Sequence, residues 1–210
     1  MANTLPFDTH SKRYDQWFEQ HRATYLSELL AIRAFYPVAG RGLEIGVGTG
    51  RFAAPLGIEV GLDPSIAMLR YARRRGIHAI AGTAESLPFR ADSFDSVLIV
   101  TTICYVDDVT TMLNEIRRIL RQNGVIVIAF LNKDSTFGAD HIESSKTEFF
   151  YQNASFFSSK EVEAHLVKQE FHKFCWGQTL FGNPRTLKTI EPIRSGHGEG
   201  LFTVVRANMR

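Results

Sequence analysis

Apolar and polar positions follow two rhythms along this chain, and their alternation marks out an α/β fold. From residue 14 to 35 apolar side chains return at helical spacing (Trp17, Phe18, Tyr25, Leu26, Leu29, Leu30) and Pro37 ends the run, which predicts an entry helix. Short apolar runs bounded by turn residues predict strands at 43–46, 59–62, 78–81, 96–100 and 125–130. Helices are expected at 65–75 and 109–121, the second leaving through Asn123-Gly124. After a polar stretch, 159–169 reads as a last helix, and 171–181 with 201–207 as the closing hairpin of a seven-stranded sheet. Only residues 51–57 separate the first two strands, and Pro55 fits poorly inside a helix. That crossover should be two turns or less, with Phe52 packed inward and the entry helix shielding what remains.

At 210 residues, with 44% hydrophobic content, the chain can bury one full core, and no repeat or low-complexity linker suggests a second domain. No apolar run approaches the roughly 20 residues that span a bilayer, and the N-terminus lacks a basic region followed by an apolar stretch. These features point to a cytoplasmic protein with no membrane partner. Cys104 and Cys175 offer neither a disulfide framework nor a metal-ligand set, so no metal is expected. A net charge of +2 implies no polyanionic partner.

The chemistry concentrates in Leu43-Glu44-Ile45-Gly46-Val47-Gly48-Thr49-Gly50, where glycines at alternate positions let backbone turn beneath a ligand with no Cβ in the way. A dinucleotide turn reads G-x-G-x-x-G and faces a pyrophosphate. Here the spacing is G-x-G-x-G, and Glu44, two residues ahead of the first glycine, would repel phosphate but suit an ammonium group. A nicotinamide oxidoreductase is disfavoured on both counts. Asp63, seventeen residues beyond Gly46 at the end of the next apolar run, is placed to accept ribose hydroxyls, although an Asp-Pro pair there also suits a helix N-cap.

The pattern Glu44-x-Gly46-x-Gly48-Thr49-Gly50 resembles motif I of the class I S-adenosylmethionine (SAM)-dependent methyltransferases. Leu87-Pro88-Phe89 and Ser93-Phe94-Asp95 are similar to the methyltransferase type 11 branch near the ubiquinone and menaquinone methylases. The whole chain, including Gln178-Thr179-Leu180-Phe181 and Gly198-Glu199-Gly200, resembles the TM1293-like group. The resemblance implies a Rossmann-like three-layer sandwich and a methyl transfer from SAM that leaves S-adenosylhomocysteine (SAH). It implies one methyltransferase domain divided into an entry lid (1–37), a cofactor core (38–131) and an acceptor-side lid with the closing hairpin (132–210).

On this resemblance the cofactor contacts are Glu44, Gly46, Val47, Gly48, Gly50, Asp63, Pro64, Met68, Thr83, Ala84, Glu85, Thr101 and Thr102. Thr83 stands where many members carry an aspartate toward the adenine, and its hydroxyl or Glu85 is a substitute.

The acceptor should lie beyond the carboxyl ends of the strands, near residues 101–108. No catalytic residue is fixed by the sequence; Tyr105, Asp107 and Tyr14 are the candidates. Asp107 and Asp108 also precede a helix, where acids cap the N-terminus, and both roles stay open. Cys104 reads as a buried apolar neighbour.

Two segments dense in aromatics, Phe7, Tyr14, Trp17 and Phe18 on one side and 148–157 on the other, lie where the family builds its lid. The loop 182–200 with His197 could also reach the pocket. Arg70, Arg73 and Arg74 share a helix face, with Arg75 beside them; the two readings are a phosphate-binding patch and a solvated helix end. A small-molecule acceptor is expected, nucleic acid is not, and the oligomeric state is open. The alternatives are an RNA methyltransferase and a SAM-binding sensor without transferase activity.

Overall fold

In the computed structural model, which describes residues 4–139, 142 and 149–210, the chain opens with α1 (Leu5–Gln20) and α2 (Arg22–Phe35). The entry helix expected over 14–35 therefore starts earlier and is broken in the middle. Pro6 stands in the first turn of α1, where its missing N–H would have had no helical partner anyway, and this start signal precedes the apolar spacing. At His21 the backbone leaves helical values (φ −116°, ψ 49°) and the ring stacks on Trp17 at 4.6 Å, so the chain turns without glycine or proline.

The sheet has strands β1 (Gly42–Ile45), β2 (Val60–Asp63), β3 (His78–Ala81), β4 (Phe94–Val100), β5 (Leu120–Leu131), β6 (Phe171–Thr179), β7 (Arg194–Ser195) and β8 (Phe202–Met209). Their order is β3-β2-β1-β4-β5-β8-β6-β7. The first five are parallel, and β8 runs antiparallel to both β5 and β6. This is the Rossmann-like α/β class expected, with one correction: the sheet has eight strands, not seven. The eighth, β7, is two exposed residues paired to Gly177 and Gln178, too short to carry any apolar alternation.

Helices α3 (Ala53–Leu56), α4 (Ile66–Arg74), α5 (Val109–Ile119) and α6 (Ser159–Lys168) complete the layers. Successive residues of β4 point to opposite faces: Val97 and Ile99 join the core under α5 and α6, while Leu98 and Val100 join the core under α2, α3 and α4. A second correction concerns Asn123-Gly124. The helix stops earlier, at Ile119, because buried Leu120 goes extended and pairs with Phe94. Asn123 does adopt a left-handed φ of 61°, but as an irregularity inside β5, where the register shifts between Phe94 and Ser96.

The first crossover is as short as the sequence requires. Phe52 is buried and meets Phe18 and Tyr25 edge-on at 5.8 and 5.6 Å, so the two entry helices cover the gap left by the four-residue α3. Meanwhile α1 lies along α4, and α2 packs on β5, β6 and β8.

Candidate functional site

The strand order reverses between β1 and β4, and the carboxyl ends of strands at such a switch point are where open α/β sheets leave a crevice. The chain leaves β1 through Gly46 and Gly48, at φ 72° and 50°. A Cβ on Gly46 would collide with the Thr102 side chain at the exit of β4, so only glycine lets these two loops meet. Gly46 N–H and Val47 N–H both donate to the Leu62 carbonyl, at 2.7 and 2.9 Å, which pins the turn to β2. Thr101, beyond β4, is itself held at φ 47°, uncommon for a β-branched residue, with its N–H donating to Ala129 at 2.8 Å.

Asp63 closes the arrangement. Its Oδ2 accepts Gly48 N–H and its Oδ1 accepts Ser65 N–H, both at 2.8 Å. Each oxygen retains capacity for one more donor. Burial pushes this carboxyl up to about 6, against the two backbone hydrogen bonds that favour its charge. Ser65 caps α4 by accepting Met68 N–H, and its hydroxyl donates to Asp8 of α1 at 2.6 Å.

A cavity of about 470 Å³ opens over this crossing. Of the residues read from the sequence, Gly46, Gly48, Asp63, Pro64, Met68, Thr101, Thr102, Tyr105, Asp107 and Tyr14 line it. Glu44, Val47, Gly50, Thr83, Ala84 and Glu85 do not. Glu44 is 1% exposed, its carboxyl held high by burial despite a hydrogen bond from Ala53 N–H, and its Oε2 has no hydrogen-bond partner among the described residues. Val47 packs against Gly61, and Gly50 against Ala72. Glu85 accepts Asp107 N–H at 3.0 Å, and Thr83 bridges to Ser86.

The two acids before α5 separate in role. Asp108 is the N-cap, accepting Thr110 N–H and Thr111 N–H at 2.9 and 3.1 Å; Asp107 is the one on the cavity. Cys104 is buried and its thiol is pushed up to about 12, so it stays a protonated packing group. Tyr105 donates to the Phe150 carbonyl at 3.0 Å.

Aromatic rings pack together along the cavity wall. Phe7 meets Tyr105 at 5.3 Å and stacks on Phe150 at 5.6 Å, while Tyr14 meets Phe18 and Phe150 edge-on. Tyr14 and Trp17 both line the cavity. Glu148, at the start of the second aromatic segment, lies outside the described residues. Burial first, then the charges of Asp63, Glu44, Glu28 and Asp15, hold the Tyr14 hydroxyl protonated far above neutral pH.

Sequence reasoning missed three parts of the site. The first is an ion-pair network that fastens α1 to the glycine turn: Asp15 takes Arg51 Nε and Nη2, both at 2.9 Å, and Arg75 Nη2 at 3.0 Å, while Arg75 Nη1 donates to the Thr49 carbonyl. Burial would raise the Asp15 carboxyl, but the hydrogen bonds from both arginines hold it below its usual range. Arg75 therefore leaves the basic run, and Arg73 is bonded to the Ala79 carbonyl. The second is Asp8. The third is Glu28, on the cavity wall and 7% exposed, whose only advance signal is an acid among the buried positions Thr24, Ser27, Ala31 and Ile32 of one helix face.

The fold and cleft define a doubly wound α/β protein with its pocket at the switch point. The sequence signature of the methyltransferase domain matches residues 43–128. The chain is 38% identical over 201 residues to the uncharacterized protein MJ1123 of Methanocaldococcus jannaschii, spanning 96% of this chain and 97% of that one. The crystal structure of a SAM-dependent methyltransferase, possible histamine N-methyltransferase (TM1293), from Thermotoga maritima superposes with a TM-score of 0.94 at 43% identity, covering 99% of this chain and 100% of that one. A demethylmenaquinone methyltransferase of Roseiflexus castenholzii is 35% identical over 101 residues, 43% of this chain and 42% of that enzyme. The chain belongs to the class I SAM-dependent methyltransferases.

Proposed function

We propose that the protein binds SAM in this cleft and transfers its methyl group to a small-molecule acceptor by in-line displacement, releasing SAH. The observation that carries the reading is the buried Asp63 carboxylate, oriented by Gly48 and Ser65 at a cavity floored by the bare backbone of Gly46 and Gly48. Such a carboxylate suits two neighbouring hydroxyl donors, as on a ribose.

When bound, SAM would supply a methyl already activated on a positively charged sulfur. The protein then has to hold an acceptor in line and keep water out, a contribution of roughly 7–11 kcal/mol in well-oriented systems. The rings of Phe7, Tyr14, Tyr105 and Phe150 do the excluding, and α1 carries half of them as the lid, tied down through Asp15. Tyr14, kept neutral, can donate a hydrogen bond without becoming a base. Aromatic walls and a volume within the roughly 300–1,000 Å³ range of small-ligand pockets favour a small acceptor over RNA. Arg75, sequestered by Asp15 and Thr49, weakens the phosphate-binding alternative further.

Isothermal titration of the purified chain with SAM, SAH and NADH tests the cofactor, and methyl transfer from labelled SAM to small-molecule and RNA fractions of a cell extract tests the acceptor. Binding of both sulfur nucleosides with label in the small-molecule fraction supports the proposal. NADH binding alone, or label confined to RNA, refutes it.

A further inference from the structure

Glu28 stands out among the buried acids of the cleft because nothing among the described residues answers it. Asp63 has two backbone N–H groups, Asp15 has two arginines, and Glu44 has Ala53 N–H. For Glu28, 7% exposed on α2 and lining the cavity, the described residues supply no hydrogen bond and no ion pair. Its polar helix neighbours are engaged elsewhere: Thr24 Oγ1 donates to the Pro184 carbonyl at 2.5 Å, and Ser27 Oγ accepts Glu191 N–H at 2.9 Å. A buried carboxyl without a partner is unfavourable unless something arrives to satisfy it. Burial by itself lifts this one to about 8.

The walls say what that partner is. Arg13 and Arg185, which line the cavity, are exposed residues, whereas its buried acids are Glu28 and Asp63. An anionic ligand would be repelled there, and a neutral hydrogen-bond acceptor would pair only with the protonated carboxyl and leave the ionised form unanswered. A ligand nitrogen with N–H hydrogens and a positive charge satisfies it, and aromatic walls add a favourable face for a cation. Resting on the methyltransferase reading above, we propose that Glu28 is the acceptor-recognition group and that the acceptor is a small amine with an apolar or aromatic body, its basic nitrogen donating to the Glu28 carboxylate. Glu44 does not line the cavity, so the SAH affinity of a Glu28 variant is what separates an acceptor nitrogen at Glu28 from the cofactor ammonium.

The test titrates benzylamine, 2-phenylethylamine and butylamine, with the matching alcohols and phenylacetate, into the full chain saturated with SAH, and repeats the series on Glu28→Gln. Amines should bind more tightly than their alcohols, and phenylacetate should not bind. Glu28→Gln should weaken amine binding about 30-fold or more, the usual effect of removing one member of a buried charged pair, with SAH affinity kept. Equal binding of amines and alcohols, or amine binding indifferent to Glu28→Gln, overturns the proposal. So does a parallel loss of SAH affinity in the variant, which would assign Glu28 to the cofactor. If the wild-type chain binds no SAH, the methyltransferase reading fails separately. The same amine titrations without SAH then support or overturn the Glu28 site alone.

Discussion

Replacing Asp63 with asparagine tests the cofactor cleft at its centre. The wild-type carboxylate accepts Gly48 N–H and Ser65 N–H and, in the proposed complex, two ribose hydroxyls as well. Asparagine keeps the shape but has one oxygen, so its amide NH2 must face either a backbone N–H or the ribose. Charge-assisted bonds of this kind contribute about 1.5–3 kcal/mol each. Losing the charge from two and one acceptor outright should cost about 2–4 kcal/mol of binding, or roughly 30- to 1,000-fold in the SAH dissociation constant.

Stability should move much less. The donor facing a donor costs about 1–3 kcal/mol. Against this, the carboxyl lies at about 6 in the fold against an ordinary 3.8, about 3 kcal/mol of disfavoured charge that the variant no longer buries. The sign gives a second check. Because the folded value is the higher one, the wild type gives up stability as pH rises from about 4 to about 6, and the variant does not. Binding runs the other way, since the ribose needs the ionised form: wild-type SAH affinity should fall as pH drops below about 6, while the weaker affinity of the variant stays flat. Calorimetry at pH 5 to 8, with urea unfolding in parallel, reads both. An Asp63→Asn protein that binds SAH within about threefold of wild type at pH 8 would refute the assignment of Asp63 to the ribose.

Gly46→Ala should lose about 2–4 kcal/mol of stability by urea unfolding, from its φ of 72° and the collision with Thr102, and Thr102→Gly in the same chain should restore the collision part alone. Arg51→Met, which removes the bidentate partner of Asp15, should cost about 2–4 kcal/mol and speed amide exchange across α1 more than across α5. Glu28→Gln should stabilise the ligand-free protein at alkaline pH. The Glu28 carboxyl lies at about 8 in the fold against 4.5 ordinarily, so wild-type stability falls as pH rises between those values. The gap to the variant should grow to at most about 4–5 kcal/mol by pH 9 and vanish near pH 4, as urea melts at the two pH values would reveal.

Much of the fold was legible because its signals are local. The strands at β1 to β4 are short apolar runs closed by turn residues, and the shortness of α3 follows from counting residues around Pro55. Where the sequence misled, a true local signal had a non-local outcome. Asn123 does take the left-handed conformation that its pairing with Gly124 announces, but the demand of Phe94 for a partner opposite Leu120 had already ended the helix four residues earlier. The break at His21 had no signal, since it rests on a ring stacking back on Trp17. Strand β7 exists only because Gly177 and Gln178 leave an edge open.

The same distinction explains why the two halves of the cleft differ so much in legibility. The side proposed for the cofactor is written in two short stretches of backbone, where Gly46 and Gly48 turn at positive φ and Gly48 N–H meets Asp63. The side proposed for the acceptor is assembled from α1, α2, Phe150, Tyr151 and Asn153, so its ring contacts, Phe7 on Phe150 among them, join positions far apart in the chain. Glu28 is the extreme case. As a residue type on an amphipathic helix it looks like any solvated acid, and its meaning comes from the partners it lacks among the described residues, since Thr24 and Ser27 turn to the loop at 184–191 and both lining arginines are exposed residues. Lack of a partner is a property of three-dimensional packing, carried by no motif, so in a family that shares its cofactor turn the acceptor preference has to be sought among buried side chains left unsatisfied.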